Sequence, residues 1–304
     1  MSVLGVRWIS SAVARTMQAS MPLGLRSIER VNREVFPEFA GDVSDIEIPA
    51  PVAPARAAVY RPAAGEAAPP VHVNFHGGGF VMRGMAFDDP LCRCLAAEAG
   101  AVVVNVDYAV APQHRFPAPT LQAFQVVQWI AAHGREHGWD GARMTVGGQS
   151  AGGSIAAAVA RQAFELGGPP IALQVLHYAP LDLTVTAKDK PTAAANPVLR
   201  PWMCEVFDNT YVPDPAARAD RLVSPAGPSD TADLTGIAPA LVITPELDRL
   251  HDEGARYARR LQQAGALVEH VNVPDADHAY DLGDRDRARE VYTVIARRIR
   301  QATE

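Results

Sequence analysis

Met144-Thr145-Val146-Gly147-Gly148-Gln149-Ser150-Ala151-Gly152-Gly153 carries the chain from an apolar strand pattern through a G-x-S-x-G into the Ala-rich stretch 152–165. A nucleophile needs this spacing. It must stand on a tight strand-to-helix turn, and the residues two before and two after it must be tiny so that the backbones can approach. The helix that opens behind Ser150 also presents backbone N–H groups where negative charge develops. The alternative reading is a chance match, because a bare G-x-S-x-G is common. What raises the signal is its position between a strand and a helix.

Working outward, apolar runs alternate with helical stretches. The run 71–75 precedes a glycine loop, 101–106 follows a helical 89–99, and 144–148 follows an amphipathic 119–133. Further on, 171–177 follows 152–165, and 240–244 and 267–273 flank a helical 252–264, with 284–301 as a last helix. Such a rhythm implies crossover units and a mostly parallel sheet with helices on both faces. Two extended segments, 44–49 and 56–61, come before it. Residues 1 to about 40 show helical spacing until Pro37, and 183–222, rich in Pro and aromatics, breaks the rhythm. We expect one domain over 1–304, with a helical cap formed by about 1–40 and 183–222.

His76-Gly77-Gly78-Gly79-Phe80 also follows a strand directly. Consecutive glycines let N–H groups point into a cavity that a Cβ would obstruct, which is what an oxyanion hole requires. A phosphate cradle is the competing reading, but no lysine follows and the nucleotide-loop spacings are absent. A serine nucleophile further needs a base and an acid that orients it. After strand 240–244 comes Pro245-Glu246-Leu247-Asp248, and after 267–273 comes Pro274-Asp275-Ala276-Asp277-His278. Asp248 and His278 thus fit the nucleophile–acid–histidine order of an α/β-hydrolase. Asp182, after an earlier strand, is the alternative acid. Of nine histidines, His72, His177 and His270 fall inside strands and read as structural.

The bulk composition excludes other classes. With 304 residues, net charge −6 and 20% charged residues, the chain has no electrostatic case for nucleic acid or an anionic membrane. No stretch is long and apolar enough for an integral membrane segment, and Arg7 and Arg15 interrupt any secretory leader. Cys92, Cys94 and Cys204 cannot all pair, which suggests reduced thiols in a cytoplasmic protein. Lysine occurs only at Lys188 and Lys190, which reads as coding bias.

Together these motifs resemble the hormone-sensitive-lipase-like (family IV) microbial esterases, over about residues 57–295. The family's H-G-G-G-[FW] is His76 to Phe80, its D-Y-x-x-A-P-x-x-x-F-P-A is Asp107 to Ala118, and its G-[DE]-S-A-G-G is Gly148 to Gly153. Its D-P-L-x-D-E-G appears as Asp248 to Gly254 and its H-G-F as His278-Ala279-Tyr280. The resemblance implies the α/β-hydrolase fold and a triad of Ser150, Asp248 and His278, with oxyanion donors from Gly78, Gly79 and Ala151. It also implies a mobile cap, no cofactor and no metal, a small acyl ester of short to medium chain as substrate, and a possible homodimer. Phe80, Trp202, Phe207 and Tyr211 are expected to line an apolar pocket. An amidase or acyltransferase on the same triad, or an inactive ligand-binding protein, are the alternatives. Gln149 and Gln113 replace acidic residues of the family. Gln149 is expected either to alter the charge beside the nucleophile or to turn away and bond a neighbouring loop, such as that of Gln113.

Overall fold

The computed structural model describes residues 3–63 and 67–304. Eight strands form one sheet: β1 (Asp42–Ile48), β2 (Ala55–Arg61), β3 (Pro70–Phe75), β4 (Val102–Asp107), β5 (Asp140–Gln149), β6 (Leu173–His177), β7 (Ala240–Pro245) and β8 (Leu267–Val273). Their order is β1-β2-β4-β3-β5-β6-β7-β8, with β2 antiparallel to both its neighbours and every later pairing parallel. The helices are α1 (Arg7–Glu34), α2 (Asp89–Ala99), α3 (Ala118–Ala132), α4 (Gly134–His137), α5 (Ala151–Leu166), α6 (Pro201–Tyr211), α7 (His251–Gln263) and α8 (Arg285–Thr303).

Strand period two explains the layering. Val104, Val146 and Val242 pack with Phe124, Ile155 and Tyr257 of α3, α5 and α7. Val103, Val175 and Leu241, on the opposite face, pack with Leu95 of α2 and Ile295 of α8. Strands covered on both faces read as continuous apolar runs, and this is what the sequence displays in 101–106 and 240–244.

The region outside this rhythm covers the carboxyl ends of the strands. Helix α1 packs on α6, and Asn209 Nδ2 donates to the Leu4 carbonyl at 2.9 Å. Arg249 Nε, just after β7, donates to Leu199 O at 2.7 Å and ties the insertion to the sheet. Among the described residues, no helix is long and apolar enough to cross a membrane.

Candidate active site

Ser150 stands between β5 and α5 with φ 52° and ψ −123°, a left-handed value unusual for a residue with a side chain. The neighbouring glycines are what permit this turn. A Cβ on Gly152 would overlap the Phe75 carbonyl oxygen, and one on Gly148 would overlap the same atom. The hydroxyl that the turn projects lies 3.0 Å from His278 Nε2, and His278 Nδ1 lies 2.7 Å from Asp248 Oδ2. A carboxylate can only accept, so Nδ1 carries the ring proton and Nε2 is left as the acceptor for the serine hydroxyl. Asp248 is itself fixed by the Leu250 N–H at 3.1 Å, and both Asp248 and His278 are buried.

Asp182 is committed elsewhere. It accepts from Arg256 Nη2 at 2.7 Å and from the Thr184 N–H at 3.0 Å, away from the imidazole. The strand histidines are also occupied. His72 Nδ1 faces Thr145 Oγ1 at 2.8 Å and His177 Nε2 faces Tyr280 Oη at 2.9 Å. Burial lowers these two to about 3 and about 4 respectively, so both are neutral rings at ordinary pH.

The glycine loop faces the same point. Gly78 has φ 123° and Gly79 φ 60°; a Cβ on Gly79 would overlap the Phe207 ring. The N–H groups of Gly78, Gly79 and Ala151 make no backbone hydrogen bond among the described residues, whereas the Ser150 N–H is used on His177 O at 2.8 Å. The loop is braced from behind. The Tyr108 hydroxyl donates to His76 O at 3.1 Å, and Arg83 holds Asp107 at 2.8 Å. Burial opposes ionisation of Asp107, but His76 and Arg83 outweigh it and leave this carboxyl below the usual range.

A cavity of about 280 Å³ opens in front of Ser150, mostly apolar, between the glycine loop, Met17 of α1 and one face of α6. Phe80 and Phe207 line it as expected. Trp202 and Tyr211 do not. On α6, Met203, Cys204, Phe207 and Asp208 form the face turned to the cavity, which leaves Trp202 on the outside, 49% exposed. Tyr211 lies one turn beyond, fully buried, and stacks on Phe80 with ring centroids 4.0 Å apart. Its part is to brace Phe80.

Gln149 turns away from the reacting centre. Its Nε2 donates to Asp281 Oδ2, and Asp281 also accepts the hydroxyls of Tyr178 at 2.8 Å and Tyr292 at 2.7 Å. The neighbouring-loop alternative therefore describes its position, but the loop is that of Asp281. Gln113 instead pairs with Gln18 of α1 at 2.9 Å. Residues that motif reading passed over also reach the cavity: Met17, Asp88, Lys190 and Asp208. Among the described residues no three His, Cys, Asp or Glu side chains converge as a metal site requires.

Comparison with known proteins finds relatives of this fold. Residues 72–282 match the family model described as the alpha/beta hydrolase fold. The chain is 37% identical over 263 residues to Esterase LipI of Mycobacterium tuberculosis, covering 84% of this chain and 79% of that one. It is 36% identical over 208 residues to ethyl acetate hydrolase of Pseudomonas putida, covering 67% of this chain and 64% of the other. Among solved structures, an esterase from Pyrobaculum calidifontis superposes with a TM-score of 0.83 at 33% identity, covering 96% of this chain and 94% of that one.

Proposed function

Since the chain belongs to the α/β-hydrolase fold family, in its hormone-sensitive-lipase-like branch, and is a serine carboxylesterase, we propose that Ser150, His278 and Asp248 are its catalytic triad. The observation that carries this is the continuous row from Ser150 Oγ to His278 Nε2 and from His278 Nδ1 to Asp248 Oδ2. The serine hydroxyl attacks the acyl carbon as His278 Nε2 takes its proton, and Asp248 holds the ring in the tautomer that leaves Nε2 free. The oxyanion settles against the N–H groups of Gly78, Gly79 and Ala151, which are already oriented before the substrate arrives. His278 then hands the proton to the departing alcohol. In the second half it deprotonates the water that releases the acid from Ser150.

Short- to medium-chain acyl esters suit a cavity of about 280 Å³, at the small end of the roughly 300–1,000 Å³ usual for ligand pockets. The ethyl acetate hydrolase among its relatives supports the same size range. The cap belongs to this reading: α1 and the 183–222 insertion roof the cavity as one part of a single domain. A cytoplasmic setting is supported by three buried free thiols, and a homodimer by the unpaired edge of β8; sedimentation measures the latter.

Replacement of Ser150 by Ala tests the assignment. Turnover of nitrophenyl acetate is expected to fall by at least about 10⁴-fold with the fold intact. A fluorophosphonate probe is expected to label Ser150 in the parent. Near-parental turnover in the variant, or labelling of a different serine, would displace the nucleophile.

A further inference from the structure

The cavity wall is apolar over most of its extent, with Met17, Met82, Phe87, Leu199, Met203 and Leu250 among its residues, but Asp208 and Lys190 also line it. Asp208, on the cavity face of α6, is half-buried, and among the described residues no hydrogen bond or ion pair reaches its carboxylate. Lys190, from the insertion, stands nearby. Its Nζ lies 2.6 Å from Glu253 Oε2, and no other acceptor for it exists among the described residues. Glu253 is pinned in turn by the Leu181 N–H at 2.8 Å. Arg218 and Glu205 are the other charged groups whose fields reach Asp208, and Arg218 directs its donors at Asn209 Oδ1 (2.6 Å) and Val212 O (3.1 Å).

An unpartnered carboxylate beside apolar walls is costly, because a substrate that displaces solvent strips it without replacement. Burial raises the Asp208 carboxyl to about 6, opposed by Lys190, so it is ionised at neutral pH. For Lys190, burial works against the charge but Glu253 outweighs it, and the ammonium stays charged. The cavity thus offers an acceptor, Asp208, and N–H donors of Lys190 that Glu253 does not use, close enough for the ammonium to act on the Asp208 carboxyl. A neutral group that both donates and accepts satisfies the two together. A cation would meet Lys190, and an alkyl terminus would satisfy neither.

We propose that the ester this enzyme takes carries a hydroxyl on the arm that fills the cavity, donating to Asp208 and accepting from Lys190. The site lies close to the chemistry. Phe207, the preceding residue on α6, presses its ring against Gly79 of the oxyanion loop. Asp208 and Lys190 then select the substrate and take no part in bond making. The inference rests on the esterase reading and deepens it. It is consistent with how enzymes discriminate: a pocket built to bond a hydroxyl rejects the analogue lacking one far better than an apolar pocket rejects an added hydroxyl.

The test compares kcat/KM for ω-hydroxyalkyl acetates with that for n-alkyl acetates of equal length, and likewise for ω-hydroxyacyl and plain acyl nitrophenyl esters. In one of the two series the parent is expected to favour the hydroxyl by about tenfold or more at the best-matched length. Asp208→Leu is expected to abolish or invert that ratio and Lys190→Met to weaken it, while Asp208→Asn, which still bonds a hydroxyl, retains most of it. A role confined to folding would lower all rates together and leave the ratio alone, so an unmoved ratio in Asp208→Leu overturns the proposal. So would a parental ratio of one or below in both series, or a preference for the ω-ammonium ester over the ω-hydroxy ester. In each of those cases cleavage of nitrophenyl acetate by the parent keeps the esterase reading standing. Absence of that cleavage overturns both.

Discussion

Gln149 adjoins the proposed nucleophile in sequence, yet its side chain bonds on the histidine side of the site. Asp281 lies three residues beyond His278 and receives the Gln149 amide together with the hydroxyls of Tyr178 and Tyr292. The Tyr178 ring in turn meets the His278 imidazole edge-on at 4.8 Å. A carboxylate at position 149 would face Asp281 with no donor between them and no solvent to separate them. Gln149→Glu is therefore expected to lose on the order of 3 kcal/mol of stability at neutral pH, and less at acid pH where the pair can share a proton. Adding Asp281→Asn restores a donor opposite the new acid and is expected to recover part of the loss. Thermal melts of the single and double variants measure the coupling, and purely additive losses would show that the two side chains do not communicate. The residues of the proposed triad, Ser150, Asp248 and His278, are those tied to the ends of strands, where chain direction leaves few choices. Spacing did not decide where the Gln149 amide points, nor that Trp202 faces outward and Tyr211 backs Phe80. Those directions depend on which neighbours pack against each helix or turn. Lys190 shows the same limit: nothing in the sequence around it distinguishes a cavity residue from a solvated one.

Among the elements, α1 is farthest in sequence from the proposed catalytic loops and yet is bonded next to one of them. Gln18 Nε2 donates to Val81 O at 2.7 Å and to Ala111 O at 3.0 Å, the first carbonyl in the segment after the glycine loop, the second in the Asp107–Ala118 motif. Ala111 N donates to Phe80 O at 2.8 Å, so Gln18 joins two segments that are already joined. Met17, its neighbour, lines the cavity. Helical spacing made α1 legible as a helix, but its partner was not, because the contact bridges positions nearly a hundred residues apart. Gln18→Ala leaves two carbonyls without their donor and loosens α1 over the cavity. The variant is expected to be clipped faster within α1 by a protease and to raise KM several-fold (about threefold or more) while kcat changes less. Parental clipping rates and KM would remove α1 from the cap and return it to a packing role.

At the scale of the whole molecule, the parallel sheet gathers loops at its carboxyl edge, and several carboxyl groups become enclosed there. Asp88, just before α2, lines the cavity and accepts from Asn74 Nδ2 at 2.8 Å. Burial raises it from an ordinary 3.8 to about 7, against the opposing pull of Asn74 and His76 and with Asp281 adding repulsion. Asp208 is raised to about 6, and Glu253 is also raised, in each case chiefly by burial. Such groups hold a proton in the folded protein that the unfolded chain has already released. Between about pH 4 and pH 7 the folded state therefore binds more protons at these groups, and their contribution to stability falls as pH rises through that window, levelling above it. Asp107, Asp140, Glu165 and Asp230 are held low by bonds to cationic or amide partners; they act in the opposite sense, stabilising above the ordinary carboxylate range and losing that contribution as pH falls below it. His72, His177 and His270, held below the ordinary imidazole value by burial, act against the raised carboxyls below about pH 6.5, so the carboxyl contribution is read from the difference between a variant and its parent. Asp88→Asn keeps an acceptor for Asn74 and removes the titration, so its melting temperature is expected to gain on the parental one from pH 5 to pH 8. Calorimetric melts of both proteins across that range measure it. A difference between the two proteins that stays constant from pH 5 to pH 8 would show that Asp88 is ionised in the folded state at no cost to stability.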